Sequence, residues 1–366
     1  MRILRVAQKC YPDLFGGGTY HIHALSRDQA AMGHDVTVLT VRHDATLSQT
    51  EVRDGYCIVR QPSTVEVLGN DISVGVARSL RQAGDFDVVH AHSHLYASTN
   101  LAALAARVSD VPLAITNHGL FSQSARESLF DAYLRTLGRW TFDAAEVVFC
   151  YTETDRDRLR AYGVSAPISV VANGIDTDRF TPTGQTTDRV DGDPAIVFAG
   201  RLVEGKRPCD AVEAVARLRE RRPGATLTIC GEGPRSGDVA QRATTLGVAD
   251  AVTLLGRVSY DEMASVYRSA DALVLPSRAE GLPRTVLEAL ACDVPVVTSD
   301  LDQLSRLVCG VGETAAIGDI EGFTAALDRV VDGTPREPRT VVTGEYNWSS
   351  TVAETTAILE RLATGG

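Results

Sequence analysis

Ala272-Leu-Val-Leu275-Pro-Ser-Arg278-Ala-Glu280-Gly-Leu-Pro283-Arg-Thr-Val-Leu-Glu288-Ala-Leu-Ala291 reads as a short apolar strand, a polar turn and the start of a helix. Pro283 suits the first helical turn, where its missing N–H costs nothing. Two carboxylates then take fixed places, Glu280 just before the helix and Glu288 about two turns into it. Gly281 lets backbone approach a ligand, and a helix N-terminus favours an anion. Carboxylates accept hydrogen bonds from paired hydroxyls, so the stretch suits a ligand with a sugar at one end and phosphate between. Alone, it is equally a surface loop followed by an amphipathic helix. The flanking sequence decides between the two.

The strands around it carry the same pattern. Ala195–Ala199 ends in Gly200-Arg201-Leu-Val-Glu-Gly205-Lys206-Arg207-Pro208 and then a helix. The next strands end in Gly231-Glu232-Gly233-Pro234 and in Gly256-Arg257-Val258. Strands and helices in alternation make a parallel, doubly wound sheet, and ligands bind off the carboxyl ends of its strands. Arg201 and Lys206 bracket a helix start, where two cations and free N–H groups can hold a diphosphate. Two ordinary surface cations are the bland alternative. Lys206 stands out because the chain has 36 basic residues and only Lys9 and Lys206 are lysine.

The first half repeats the alternation. Ile3–Ala7 is a strand, followed by a glycine-rich turn at Gly16, Gly17 and Gly18 and a helix from about Thr19 to Met32. Backbone N–H groups of such a turn can face phosphate or an acceptor, although the turn lacks the GxGxxG spacing of a dinucleotide fingerprint. Further strands end in His90-Ala-His92-Ser-His94 and in Thr116-Asn117-His118-Gly119. The HxHxH string invites a metal reading, but no acidic partner is positioned by spacing; DxD strings are ordinary in so acidic a chain. His118 is the histidine best placed to reach a ligand.

Residues 123–142 read as a helix mixing apolar residues with Arg126, Arg135 and Arg139. Such a helix can sit on an anionic membrane, though a core-facing helix with solvated arginines is the commoner case. Residues 181–194 (TPTGQTTDRVDGDP) are polar and aperiodic, which marks a linker. The domains expected are therefore 1–180 and 195–346, with a last helix over about 347–363.

Composition sets the limits. At 366 residues the chain fits two domains of about 180 residues. With 44% hydrophobic and 23% charged residues it belongs to a globular protein, and a net charge of −11 argues against a nucleic-acid partner. Seven scattered cysteines without a CxxC fit a reducing cytoplasm. No signal peptide is expected from Met1-Arg-Ile-Leu-Arg-Val, and no apolar run approaches the roughly 20 residues that span a bilayer. Any membrane contact is expected to be peripheral.

Taken together, these residues resemble a retaining glycosyltransferase of the GT-B fold, family 4, over nearly the whole chain. The most specific part is Glu-x7-Glu with its Glu-Gly-x-Pro opening, Glu280 through Glu288. Gly200, Arg201 and Lys206, the Asn173-Gly-Ile-Asp176 turn, Gly-Glu-Gly-Pro and the first glycine loop support it. The resemblance implies two Rossmann-like domains facing across a cleft, the second holding a nucleotide-diphosphate sugar, a GDP- or UDP-sugar, and the last helix crossing back to the first. It implies that Arg201 and Lys206 hold the diphosphate, with Gly231 beside them, and that Glu288 binds the ribose hydroxyls. Arg257 and Val258 would border the base. Glu280, with the N–H groups of Gly281 and Leu282 before Pro283, would position the donor sugar, and His118 would reach that sugar. No metal or other cofactor is required when arginine and lysine supply the charge. The acceptor would be a sugar, a polysaccharide or a lipid-linked hydroxyl. Two readings stay open on the same fold: a nucleotide-sugar epimerase-like isomerase and a non-catalytic nucleotide-sugar-binding subunit. Val203-Glu204-Gly205 departs from the family's usual lead-in, which leaves Lys206 and Arg207 competing for the phosphate role.

Overall fold

The computed structural model describes residues 1–67, 70–120, 127–332 and 337–365. The chain forms two compact units. Among the described residues, the first comprises 1–120, 127–173 and 350–365, and the second lies within 174–349.

The first unit is built on an eight-stranded sheet. Its strands are β1 (Arg2–Val6), β2 (Asp35–Arg42), β3 (Thr50–Arg53), β4 (Tyr56–Pro62), β7 (Val88–His92), β8 (Leu113–Thr116), β9 (Val147–Cys150) and β10 (Ile168–Val170). A small hairpin, β5 (Val65–Val67) and β6 (Asn70–Ile72), lies outside it. The sheet order is β10-β9-β8-β7-β1-β2-β4-β3, parallel throughout except for β3, which turns back on β4. The Asp54-Gly55 turn makes that reversal, both residues having positive φ (45° and 85°), as a tight hairpin requires. Nothing in the local alternation announced β3, β5 or β6.

The strands are apolar on both faces, and the period of two sorts their residues into two cores. Leu4, Val6, Leu39, Val89, Ile115 and Val148 share one, whereas Ile3, Val38, Val88, Ala114 and Phe149 share the other. Leu359 of the last helix, Trp348–Ala363, joins the second core. The helix expected over 123–142 is seen from Glu127: Glu127–Tyr133, a π-helical turn at Leu134–Gly138, then Arg139–Phe142. Residues 123–126, Arg126 included, lie outside the described residues.

The second unit is a six-stranded, wholly parallel sheet of β11 (Ala195–Ala199), β12 (Thr226–Cys230), β13 (Val252–Gly256), β14 (Ala272–Leu275), β15 (Val296–Ser299) and β16 (Glu313–Ala315). Its order is β13-β12-β11-β14-β15-β16. The chain thus winds one way from β11 to β13 and the other way from β14, and the reversal lies between β11 and β14. A ligand in such a sheet sits off the carboxyl ends of the strands at that reversal. The first unit has the same winding, with its reversal between β1 and β7.

Residues 174–194, divided between the first domain and a linker in the sequence reading, cluster with the second unit. Three guanidinium groups, buried or half-buried, explain why. Arg284 donates to the Gly174 carbonyl (2.9 Å) and Arg339 to those of Phe180 (2.7 Å) and Thr177 (2.8 Å). Arg268 donates to Thr181 (2.7 Å), Arg179 (2.9 Å) and Gln185 (3.0 Å). An aperiodic polar segment is strapped down by arginines remote in sequence, which composition cannot reveal.

Candidate active site

In the second unit, the loops after β11, β12 and β13 are stitched edge to edge. The Gly200 N–H bonds to Cys230 O (2.9 Å), Leu202 N–H to Glu232 O (2.9 Å), and Gly231 N–H to Gly256 O (2.8 Å). Gly231 is obligatory: with φ 154°, a Cβ there would fall 1.8 Å from the Gly200 carbonyl oxygen. This close approach holds Gly200-Arg201 at the sheet's reversal. Arg201 is exposed and makes no ion pair or side-chain hydrogen bond among the described residues.

The two basic residues that follow diverge. Arg207 has a left-handed backbone (φ 51°) and turns to Asp210, Nε to Oδ2 at 2.6 Å. Lys206 ends a 3-10 turn, Glu204–Lys206, and forms an ion pair with Glu280. Of the two candidates for a phosphate role, Lys206 is therefore the one beside Glu280. The pair is largely enclosed, side-chain exposure being 13% for Lys206 and 5% for Glu280.

The Glu280 turn is braced from two sides. Arg278 N–H bonds to Gly205 O (2.8 Å), and the Gln303 amide donates to the Glu280 carbonyl. The N–H groups of Gly281 and Leu282 have no acceptor among the described residues. The helix runs Arg284–Ala291, so Pro283 is the capping residue (φ −71°, ψ 121°) and not part of the first turn.

Glu288 lies on the buried face of that helix. Tyr267 Oη donates to its carboxylate (3.2 Å), and Arg284 Nε stands 3.6 Å away. Burial raises the carboxyl above the ordinary range, while Arg284 and the Tyr267 bond work against the rise. Arg257 is tied to Glu232, Nη2 to Oε2 at 3.2 Å, with half-buried Val258 beside it. Ser277, Thr298 and Ser299 hydroxyls and the Gln303 amide oxygen are buried without partners among the described residues. Native interiors leave few such atoms unpaired, and those that remain concentrate at functional places.

The first unit gathers a second polar cluster at its own reversal. His92 ends β7, His118 follows β8 and Tyr151 follows β9. The His92 Nδ1–His118 Nε2 distance is 3.1 Å and Tyr151 Oη–His118 Nδ1 is 2.7 Å. The glycine turn runs past the same ring, since a Cβ on Gly18 would lie 3.4 Å from His118 Nδ1. The helix begins at Gly17, not Thr19, so Gly17 and Gly18 form its first turn behind Gly16. His118 and the Gly16–Gly18 turn, far apart in sequence, are thus neighbours.

The His90 and His92 rings lie tilted against each other with centroids 4.3 Å apart, whereas His94 packs on Phe142 (4.8 Å). Among the described residues no group of three or more His, Cys, Asp or Glu is arranged to hold a metal. Burial holds these imidazoles neutral: His118 is pushed down to about 4 and His94 to about 3. Arg5 lies buried behind them, bonded to Ser26 Oγ (2.7 Å) and Gln29 Oε1 (2.6 Å) with no carboxylate partner among the described residues, and burial lowers it to about 9. Sequence reading missed Tyr151, His92, Gln303 and Tyr267 as parts of these sites; only long-range contacts reveal them.

Two doubly wound parallel sheets of one winding are the architecture of the GT-B fold. Residues 15–179 match the model of Glycosyltransferase Family 4, and residues 184–341 that of Glycosyl transferases group 1. The chain is 31% identical to the glycogen synthase of Mycobacterium tuberculosis over 98% of its own length and 94% of that protein's. It is 29% identical to the D-inositol 3-phosphate glycosyltransferase of Jonesia denitrificans, covering 94% and 91%. Anabaena HepE, solved with UDP-glucose, superposes with a TM-score of 0.78 at 18% identity, covering 98% of this chain and 100% of that one. The chain belongs to family 4 of the GT-B glycosyltransferases, and it is a sugar-transferring enzyme.

Proposed function

We propose that this enzyme moves a hexose from a nucleotide-diphosphate sugar to a hydroxyl acceptor with retention of anomeric configuration. The observation that carries the reading is the Lys206–Glu280 ion pair at the second sheet's reversal, beside uncommitted Arg201 and the open N–H groups of Gly281 and Leu282. Cation, carboxylate and N–H donors in one place suit a ligand that is phosphate at one end and sugar at the other.

The chemistry follows. The bond between the anomeric carbon and the diphosphate oxygen breaks, leaving an oxocarbenium-like centre and negative charge on the leaving group. Arg201 and Lys206 stabilise that charge, each well-placed donor contributing on the order of 3–4 kcal/mol. Their charge takes the part a divalent ion would otherwise play, so the transfer proceeds without a metal. The acceptor oxygen bonds the anomeric carbon on the face the diphosphate leaves, and its proton passes to the departing phosphate. Glu280 and the N–H groups of Gly281 and Leu282 hold the donor sugar. Glu288 takes the ribose hydroxyls by exchanging its Tyr267 bond, and Arg257 and Val258 border the base. His118 serves the sugar end of the donor, and the turn at Gly16, Gly17 and Gly18 approaches phosphate or acceptor. The second unit is thus the donor domain and the first the acceptor domain.

The donor is a UDP- or GDP-sugar carrying glucose, mannose or N-acetylglucosamine; the acceptor is a sugar, a polysaccharide or a lipid-linked hydroxyl. Among the described residues no helix is long and apolar enough to cross a membrane. A cytoplasmic site of action with peripheral membrane contact would rest on the exposed Leu129 and Leu137, because Arg135 and Arg139 are already paired with Asp131 and Asp143. Turnover of a donor with acceptor excluded, followed by product stereochemistry with acceptor present, tests the reading. Inversion at the anomeric carbon, or donor conversion to an epimer, contradicts it.

A further inference from the structure

We infer that Tyr151 and His92 are positioning residues that fix the ring orientation and the tautomer of His118, its proton on Nδ1 and its lone pair on Nε2, where it accepts from His92. The inference rests on the reading of His118 as a group that serves the donor sugar. Its basis is geometric. Neighbouring strands β7, β8 and β9 end at one edge of the first sheet, and they deliver His92, His118 and Tyr151 side by side. Both ring nitrogens of His118 are engaged, Nδ1 by Tyr151 Oη at 2.7 Å and Nε2 by His92 Nδ1 at 3.1 Å. A ring flip would set carbon atoms against both partners and lose two hydrogen bonds at once.

The direction of those bonds follows from the third nitrogen. His92 Nε2 is buried and has no partner among the described residues. A proton on Nδ1 has the His118 ring as its acceptor, whereas a proton on Nε2 would be a buried donor left unpaired, at the cost of its desolvation. His92 therefore carries its proton on Nδ1 and donates it to His118 Nε2. His118 in turn carries its proton on Nδ1 and donates it to Tyr151 Oη. The His118 ring stays neutral in this enclosure, because burial works against the imidazolium. The ring is thereby held with its N–H at Nδ1 on Tyr151 and its lone pair at Nε2 on His92.

Ring 15N spectra of the intact enzyme, alongside turnover of the Tyr151→Phe variant, test this. The wild type is expected to show His118 as a single Nδ1–H tautomer. Tyr151→Phe is expected to give a mixture, with kcat lower by about ten-fold and donor Kd unchanged within about two-fold, the signature of misplacement without lost binding. His92→Asn, which keeps an N–H at the same place, is expected to retain turnover, and His92→Leu to lose it, which separates positioning from packing even if Tyr151→Phe folds poorly. A wild-type Nε2–H tautomer, or a Tyr151→Phe enzyme with wild-type kcat, overturns the inference. The parent reading fails separately: His118→Ala with full turnover would remove His118 from the reaction, whereas the ring spectra would still report the tautomer.

Discussion

Lys206 and Glu280, 74 residues apart in sequence, meet as an enclosed ion pair at the point where the second sheet reverses its winding. Each neutralises the other where neither is well solvated. Removing one partner leaves an unpaired buried charge, which costs about 3–5 kcal/mol. Lys206→Ala and Glu280→Ala should therefore each lower Tm, and the double variant should lose less than the sum of the two. In kinetics, Lys206→Ala should raise donor KM and cut kcat/KM at least about ten-fold, whereas Glu280→Ala should chiefly lower kcat. Steady-state kinetics and melts of the three variants check this, and wild-type kinetics in both single variants would remove the pair from the site.

Arg201 behaves differently because it has no partner to abandon. Arg201→Ala should change folding stability by less than about 0.5 kcal/mol. It should weaken nucleoside-diphosphate binding about ten-fold, equivalent to about 1.4 kcal/mol. Titration calorimetry with the diphosphate alone reads the effect directly, and an unchanged Kd would contradict the phosphate role.

Gly231→Ala should be the most damaging single-methyl change in the second unit. The added carbon would fall 1.8 Å from the Gly200 carbonyl oxygen, so the Arg201 turn and the β12 turn cannot both keep their places. A loss of about 2 kcal/mol or more together with loss of donor binding is expected. A variant with normal Tm and normal donor Kd would show the turn to be more yielding than its packing.

The buried histidines set an acid limit on the first unit. His94 and His118 are lowered to about 3 and about 4, and His90 and His92 are also well below the ordinary value. Between those values and about 6.5 the unfolded chain binds protons that the folded chain refuses, so stability falls as pH falls. Each such histidine contributes up to about 1.4 kcal/mol per pH unit in that window. Glu288, raised by burial, acts in the opposite sense with a single proton. Denaturation midpoints should therefore drop steeply from pH 7 to pH 5, and a flat profile would show that these rings are charged or hydrated in the fold.

Much of this was legible in the sequence because the signals are local. Strand–turn–helix units repeat, and the Glu280–Glu288 spacing and the Gly200–Lys206 turn are single contiguous strings. What sequence did not show depends on contacts between distant segments. Arg268, Arg284 and Arg339 pin residues 174–185, which locally look like linker. Gln303 reaches the Glu280 carbonyl from the next helix, and Tyr151 reaches His118 across a strand boundary. The choice between Lys206 and Arg207 turned on one left-handed residue, Arg207, whose side chain faces Asp210. Letters alone give no warning of that backbone angle.

The most direct test of the donor site is a thermal-shift and hydrolysis panel of UDP-glucose, GDP-mannose, UDP-N-acetylglucosamine and ADP-glucose, each with and without EDTA, on the wild type and on Arg201→Ala. A donor at about 100 times its Kd adds about 2.7 kcal/mol to the stability of the fold that binds it. One donor should raise Tm in the wild type whether or not EDTA is present, and the shift should shrink in Arg201→Ala. A protein that no nucleotide sugar stabilises, or one stabilised equally with and without Arg201, would contradict the placing of the diphosphate at this sheet reversal.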